Sequence, residues 1–279
     1  MKLRFWNRHR VCTSIGTLAS LLLSAHGAGA FTAGQNNYTT NFPLAENPIS
    51  ENGNWINGEV AGLDWSNAQT YSGFAYGTQP GDSYGASVYN DSIAILSGTW
   101  APDQIASATI SINQPDSGSG LFEEVELHLR ATISADLCTG YEINASVISG
   151  NPYMQVVRWD GPLGAFTELA GQVISVNDGD TISASIIGST ITVYLNGNAQ
   201  FSVSDSTYSS GNPGIGFFLQ GATGLNADYG FSSFSATDMG LGNPEPTPSP
   251  TVTPTDSPSP TDTSTPTSSP RYHHHWYDN

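Results

Sequence analysis

Residues 122–130, Phe-Glu-Glu-Val-Glu-Leu-His-Leu-Arg, alternate strictly: Val125, Leu127 and Leu129 on one side, Glu124, Glu126, His128 and Arg130 on the other. Successive strand side chains point to opposite faces, so the pattern predicts a strand with an apolar face on a core. Its other face then carries ionisable groups in a row, roughly 6–7 Å apart. A second clear pattern spans 188–203, where Ile191, Val193 and Leu195 alternate with Thr190, Thr192 and Tyr194. Asn196-Gly197 follows with the dipeptide that a type I′ turn requires, and Phe201 and Val203 resume the apolar phase. Asn177-Asp-Gly-Asp180 is a turn leading into Ile182, Ala184 and Ile186, so the two hairpins form a meander.

Further strands are expected at 70–76, 92–96, 106–112, 140–148, 154–159, 214–220 and 228–236. No stretch keeps a helical period, and only 103–108 suggests a single turn. Many short strands with close turn signals predict an all-β fold, a two-sheet antiparallel β-sandwich or jelly roll.

Composition divides the chain. Lys2, Arg4, Arg8 and Arg10 precede a mainly apolar run at 11–24, and Ala28-Gly29-Ala30 offers a cleavage site, so 1–30 reads as a secretory signal peptide. The apolar run is too short for a membrane span, and no membrane insertion is expected. The compact domain is expected over 31–243. Residues 244–270, almost entirely Pro, Thr, Ser and Asp, read as a disordered linker to a further C-terminal domain or a surface. The tail 271–279 is too short to fold and, despite three histidines, is assigned no function.

Removing 1–30 leaves three basic residues against 24 acidic ones. Such a charge repels phosphate backbones and anionic surfaces, which excludes nucleic acid and disfavours acidic polysaccharides; a neutral or weakly polar glycan fits. Cys138 is then the lone cysteine, expected as a buried small hydrophobe. His128 is the lone histidine of 31–243, and Arg130 one of two arginines there. Their row reads either as a solvated face of self-neutralising charges or as a ligand surface.

Several motifs in order carry a family resemblance: Gly140-Tyr-Glu-Ile-Asn144, Gln155-Val-Val-Arg-Trp-Asp-Gly-Pro-Leu-Gly164, Gly179-Asp-Thr-Ile-Ser-Ala184, Val193-Tyr-Leu-Asn-Gly197 and Gly211-Asn-Pro-Gly-Ile-Gly-Phe-Phe218. With the opening 42–55 and the closing 228–235, the chain resembles secreted bacterial members of the concanavalin A-like lectin/glucanase superfamily, the laminin-G-like jelly rolls. The resemblance implies sugar bound across a concave sheet face. Glu124, Glu126, His128 and Arg130 would lie there, beside Glu142 and Asn144 of the next strand and Gln155 and Trp159 beyond. Trp55, Trp65, Trp100 and Tyr153 join Trp159 as stacking candidates, with about half expected in the core. The resemblance also implies a structural Ca²⁺ near the first and last strands, for which Glu46 and Asp228 are the acids in place.

The same superfamily holds enzymes. Retaining glucanases carry Glu-x-Asp-x-Glu on one strand; Glu124-Val-Glu-Leu-His128 is similar in spacing but puts His128 where the acid/base carboxyl belongs. Alginate lyases carry Arg-x-Glu-x-Arg and Gln-Ile-His; Glu126-Leu-His-Leu-Arg130 and Gln155-Val-Val157 lack the second motif's base. The expected function is thus a secreted carbohydrate-binding, lectin-like module needing no cofactor. The alternatives are a glycoside hydrolase or polysaccharide lyase using Glu124, Glu126 and His128, or a non-catalytic surface adhesion module.

Overall fold

The computed structural model describes residues 35–80, 89–114, 122–221 and 226–239. The expected signal peptide, linker and tail lie outside them. In chain order the strands are β1 (Asn37–Thr40), β2 (Trp55–Asn57), β3 (Ser66–Thr70), β4 (Ala75–Gly77), β5 (Ser92–Leu96), β6 (Gln104–Ile112), β7 (Phe122–Ser134) and β8 (Leu137–Ser146). They continue as β9 (Met154–Gly161), β10 (Phe166–Gln172), β11 (Thr181–Ile187), β12 (Thr190–Leu195), β13 (Asn198–Ser204), β14 (Asn212–Gln220) and β15 (Tyr229–Asp238). A π-helical turn at Gly58–Gly62 and a 3₁₀ turn at Asn226–Asp228 are the helical elements. No helix among the described residues is long and apolar enough to cross a membrane.

The fold is nearly all β, as the patterning predicts, but its sheet is continuous. One arm runs β10-β9-β8-β7-β14-β5 and the other β4-β15-β6-β11-β12-β13. Strand β3 joins them, pairing parallel with β5 through Ser66 and Asn67 and antiparallel with β4 through Ala68–Thr70. The expected pair of wholly antiparallel sheets is therefore not confirmed: β3 links the arms, with one parallel pairing, and the two arms share a core. Val125, Leu127, Leu129, Ile143, Ile215 and Phe217 of the first arm meet Ala108, Ile110, Ile182, Ile191, Val193 and Phe234 of the second in one buried cluster. Each large aliphatic or aromatic side chain so buried contributes about 1.5–3 kcal/mol.

The strand predicted at 70–76 is a hairpin instead. Tyr71 to Phe74 turn between β3 and β4, with Ser72 and Gly73 at positive φ. The single turn predicted at 103–108 is part of β6. At the predicted I′ hairpin, β12 and β13 join through Asn196 (φ 51°) and Gly197 (φ 76°). An added Cβ at Gly197 meets nothing within 4 Å, so Gly197→Ala should cost only the left-handed backbone penalty, about 1–2 kcal/mol, read as a lower urea midpoint at unchanged m-value.

Alternation fails at one place in β7. Its register with β8 shifts between Leu129 and Thr132, and Arg130 takes φ 49°. Glycines on both sides make room: a Cβ at Gly140 (φ 126°) would lie 2.6 Å from the Arg130 carbonyl oxygen, and one at Gly211 (φ 131°) would overlap the Arg130 carbonyl. The bulge puts Arg130 on the same side as Leu129 and sends Ala131 to the opposite face.

Candidate functional site

The face of β7 away from the core carries Glu124, Glu126 and His128. Glu142 and Asn144 follow in register on β8 and Gln155 beside them on β9: Glu126 pairs with Asn144, His128 with Glu142, and Asn144 with Gln155. The alternation therefore brings this set together as predicted. Arg130 does not join it. Through the bulge its Nε donates to Pro102 O (2.6 Å), Nη1 to Tyr208 O (3.0 Å) and Nη2 to Gly188 O (2.8 Å), clamping three loops instead of offsetting the acids.

The face is not the open trough expected from the sequence. Glu126 is fully buried and His128 is 2 % exposed, with Glu124, Glu142 and Asn144 also buried. A second apolar cluster covers one end of this face: Trp65, Ile93, Ile95, Ala131, Cys138 and Trp159. Trp65 follows the Gly58–Gly62 turn, and its ring meets Trp159 edge-on at 5.9 Å. Trp159 is thus no open stacking platform; it is 3 % exposed, and its Nε1 donates to Glu142 Oε2 at 2.6 Å. Trp55, Trp65 and Trp100 are buried too.

What stays open is a pocket of about 100 Å³. It is lined by the polar Asp91, Glu124, Glu142, Asn144 and Gln155 and by Tyr89, Val157, Trp159, Phe166 and Phe218, with Val157 beside Glu142 and Phe218 beside Glu124 in register. Tyr89 meets Phe166 edge-on at 5.0 Å and stacks over Phe218 at 6.4 Å. Glu126 and His128 lie outside the pocket lining. Sequence reasoning missed Asp91, Tyr89, Phe166 and Phe218. A signal existed for Phe218, which shares its phase on β14 with Gly214 and Gly216, opposite core-facing Ile215 and Phe217; Phe166 sits on a strand that the patterning did not predict.

Four carboxyls close together without a cation cannot all ionise. Burial, then the Glu142 and Glu124 charges, pushes Asp91 well above the usual carboxylate range. Burial, then Glu142 and Asp91, does the same to Glu126. Burial raises Glu142 against the lowering effect of its Trp159 and Asn144 donors. Glu124 is pushed up to about 8 by burial, with the Tyr153 hydroxyl, which donates to its Oε1, opposing the rise. Burial pulls the His128 imidazole down to about 3, so it is neutral near pH 7.

Glu46 and Asp228, the acids expected to hold Ca²⁺, belong to no group of three convergent ligand side chains among the described residues. The Glu46 Oε2 accepts the N–H groups of Ser50 (3.0 Å) and Glu51 (2.8 Å). Asp228 closes the 3₁₀ turn before β15, its carbonyl accepting from Asn113 N.

No family model matches the sequence, and no curated protein does. Among solved structures the chain is similar to the carbohydrate-binding module CBM66 from Bacillus subtilis, at 14% identity over 68% of this chain and 95% of that one, TM-score 0.45. It is similar to the metal-free Emp46p carbohydrate recognition domain, at 11% identity over 73% and 97%, TM-score 0.46. It also matches the GH43 protein BlXynB from Bacillus licheniformis, at 11% identity over 71% of this chain and 38% of that one, TM-score 0.45. At 11–14% identity and TM-scores of 0.45–0.46, these likenesses carry nothing about family, ligand or activity.

Proposed function

We propose that this is an exported carbohydrate-binding domain with a jelly-roll sandwich, and that its pocket takes one terminal ring of a neutral or weakly polar glycan. The observation that carries this reading is the pocket's composition: planar polar side chains, Glu124, Glu142, Asn144 and Gln155, side by side with the aromatic rings of Tyr89, Trp159, Phe166 and Phe218. Sugars present hydroxyls at their rim and C–H groups on their faces, and both find partners here. The opening of about 100 Å³ is far below the ~300–1,000 Å³ that drug-sized ligands fill, so no more than a single ring enters and the rest of the glycan stays in solvent. This replaces the expected groove for a sugar chain.

Binding is favoured over cleavage by where the strand motif falls. Glu126 and His128, which a catalytic use of the row needs at the scissile bond, lie outside the pocket lining, leaving Glu124 and Glu142 to meet the sugar. These carboxyls then serve as hydrogen-bonding groups. Release of reducing sugar that is lost in Glu124→Gln would establish the hydrolase alternative instead.

Gln155 and Phe166 test the binding reading because neither belongs to the core: Gln155 is half-buried and Phe166 is 38 % exposed. Gln155→Ala and Phe166→Ala should each weaken glycan binding about tenfold or more, with little change in melting temperature. Unaltered glycan-array profiles in both variants would place the ligand elsewhere.

A further inference from the structure

We propose a divalent metal site, of the kind that takes Zn²⁺, formed by Glu126, His128 and Glu142 beneath the pocket. One ligand atom from each of these side chains lies within 4.8 Å of the others, and among the described residues this is the single group of three such side chains that converges so. The site stands without the sugar reading, because it rests on three buried side chains and not on the pocket's occupant.

Three observations point to a ligand there. First, both oxygens of Glu126 and the Nε2 of His128 are buried and have no hydrogen-bond partner. Buried polar atoms are normally satisfied, and leaving them bare costs about 1–3 kcal/mol each, more for a charged group. Second, His128 Nε2 and Glu126 Oε2 are 3.4 Å apart. Ligands at about 2.0–2.2 Å from a tetrahedral cation are separated by roughly that distance. Third, Gly216 faces the pair across the sheet, and a Cβ there would overlap Glu126 Oε2 and come within 2.6 Å of His128 Nε2. A glycine at this position keeps the space beside both groups clear.

The third carboxylate is held as metal ligands commonly are. Glu142 accepts from Asn144 Nδ2 (2.9 Å) and Trp159 Nε1 (2.6 Å), which fixes its orientation and leaves lone pairs for a cation. One imidazole and two carboxylates form a nitrogen–oxygen set suited to Zn²⁺ or Mn²⁺ and less to Ca²⁺, which prefers six to eight oxygens. Three protein ligands would leave a fourth position for water or another ligand, and Glu142 also lines the pocket.

The test uses the full chain, stripped of metal, with His273→Ala, His274→Ala and His275→Ala to silence the tail. Calorimetric titration with Zn²⁺, without sugar, should show one ion per chain, and the melting temperature should rise by roughly 5–10 °C at a hundredfold excess over Kd. Glu126→Gln removes a buried acid, so the metal-free variant should melt at the same temperature or higher, yet bind Zn²⁺ at least about a hundredfold more weakly. Co²⁺ should give visible ligand-field bands that His128→Gln abolishes. No Zn²⁺ uptake, equal uptake in Glu126→Gln and His128→Gln, uptake confined to the chain with its tail histidines, or a preference for Ca²⁺ over Zn²⁺ would each overturn the site.

Discussion

Replacing Trp159 by alanine is expected to lower the melting temperature by at least roughly 10 °C and to abolish ligand binding. Two losses combine. The indole is 3 % exposed, wedged between Trp65 (5.9 Å) and Phe166 (5.4 Å), and its removal opens a cavity worth about 3–5 kcal/mol. Its Nε1–H also donates to Glu142 Oε2, so the variant strands a buried carboxyl without that donor, about 1–3 kcal/mol more. Against a typical total of about 5–15 kcal/mol this is a large share. Trp159→Phe separates the two losses: it keeps much of the packing but not the N–H, and should fall between the parent and the alanine variant. Thermal melts in which Trp159→Ala stays within about 1 °C of the parent would mean that the covering cluster does not hold the face closed.

Gly211→Ala should be nearly as costly, about 3 kcal/mol or more, for a reason confined to the backbone. At φ 131° the new Cβ is strained by itself, and it overlaps the Arg130 carbonyl, which the folded bulge does not let retreat. Gly197→Ala is the matched control, with positive φ but nothing within 4 Å. The difference between the two urea midpoints isolates the close approach to the bulge. Equal losses would show that Arg130 has room to move, and that its clamp on Pro102, Gly188 and Tyr208 is not fixed by the glycines beside it.

How far the sequence discloses this molecule depends on whether local alternation or distant packing sets each feature. Strands β11 and β12 fall where their patterning predicts, because an apolar residue at every second position admits one register against a core. The grouping of Glu124, Glu126, His128, Glu142, Asn144 and Gln155 is legible for the same reason. Arg130 is not, since one bulged residue reverses the phase and nothing in Leu129-Arg-Ala-Thr132 marks it. The cover is not legible either: Gly58-Glu-Val-Ala-Gly62 has no strand or amphipathic period, and Trp65 reads equally as core or as platform. Whether a polar strand face meets water or another segment is decided by chain far away in sequence. Asp91 shows the same limit. It stands one residue before β5 as an ordinary turn acid, and only the fold brings it to Glu142 and Glu124.

The burial also changes the sense of the acidic row. In water, two carboxylates and an imidazole on one strand face, with Glu142 on the next strand, would be a solvated charge pattern. Enclosed, with Arg130 turned away, the carboxyls are pushed toward their protonated forms, and Glu124 and Glu142 line the pocket while Glu126 and His128 do not.

The central claim is that a single sugar ring enters this pocket. The measurement that tests it most directly is competition on a glycan array between a bound oligosaccharide and the monosaccharide matching its terminal residue. The account predicts that the monosaccharide displaces the longer glycan with a Kd within about tenfold of it. Affinity that climbs a hundredfold or more with chain length, or an array on which no glycan binds, would contradict it.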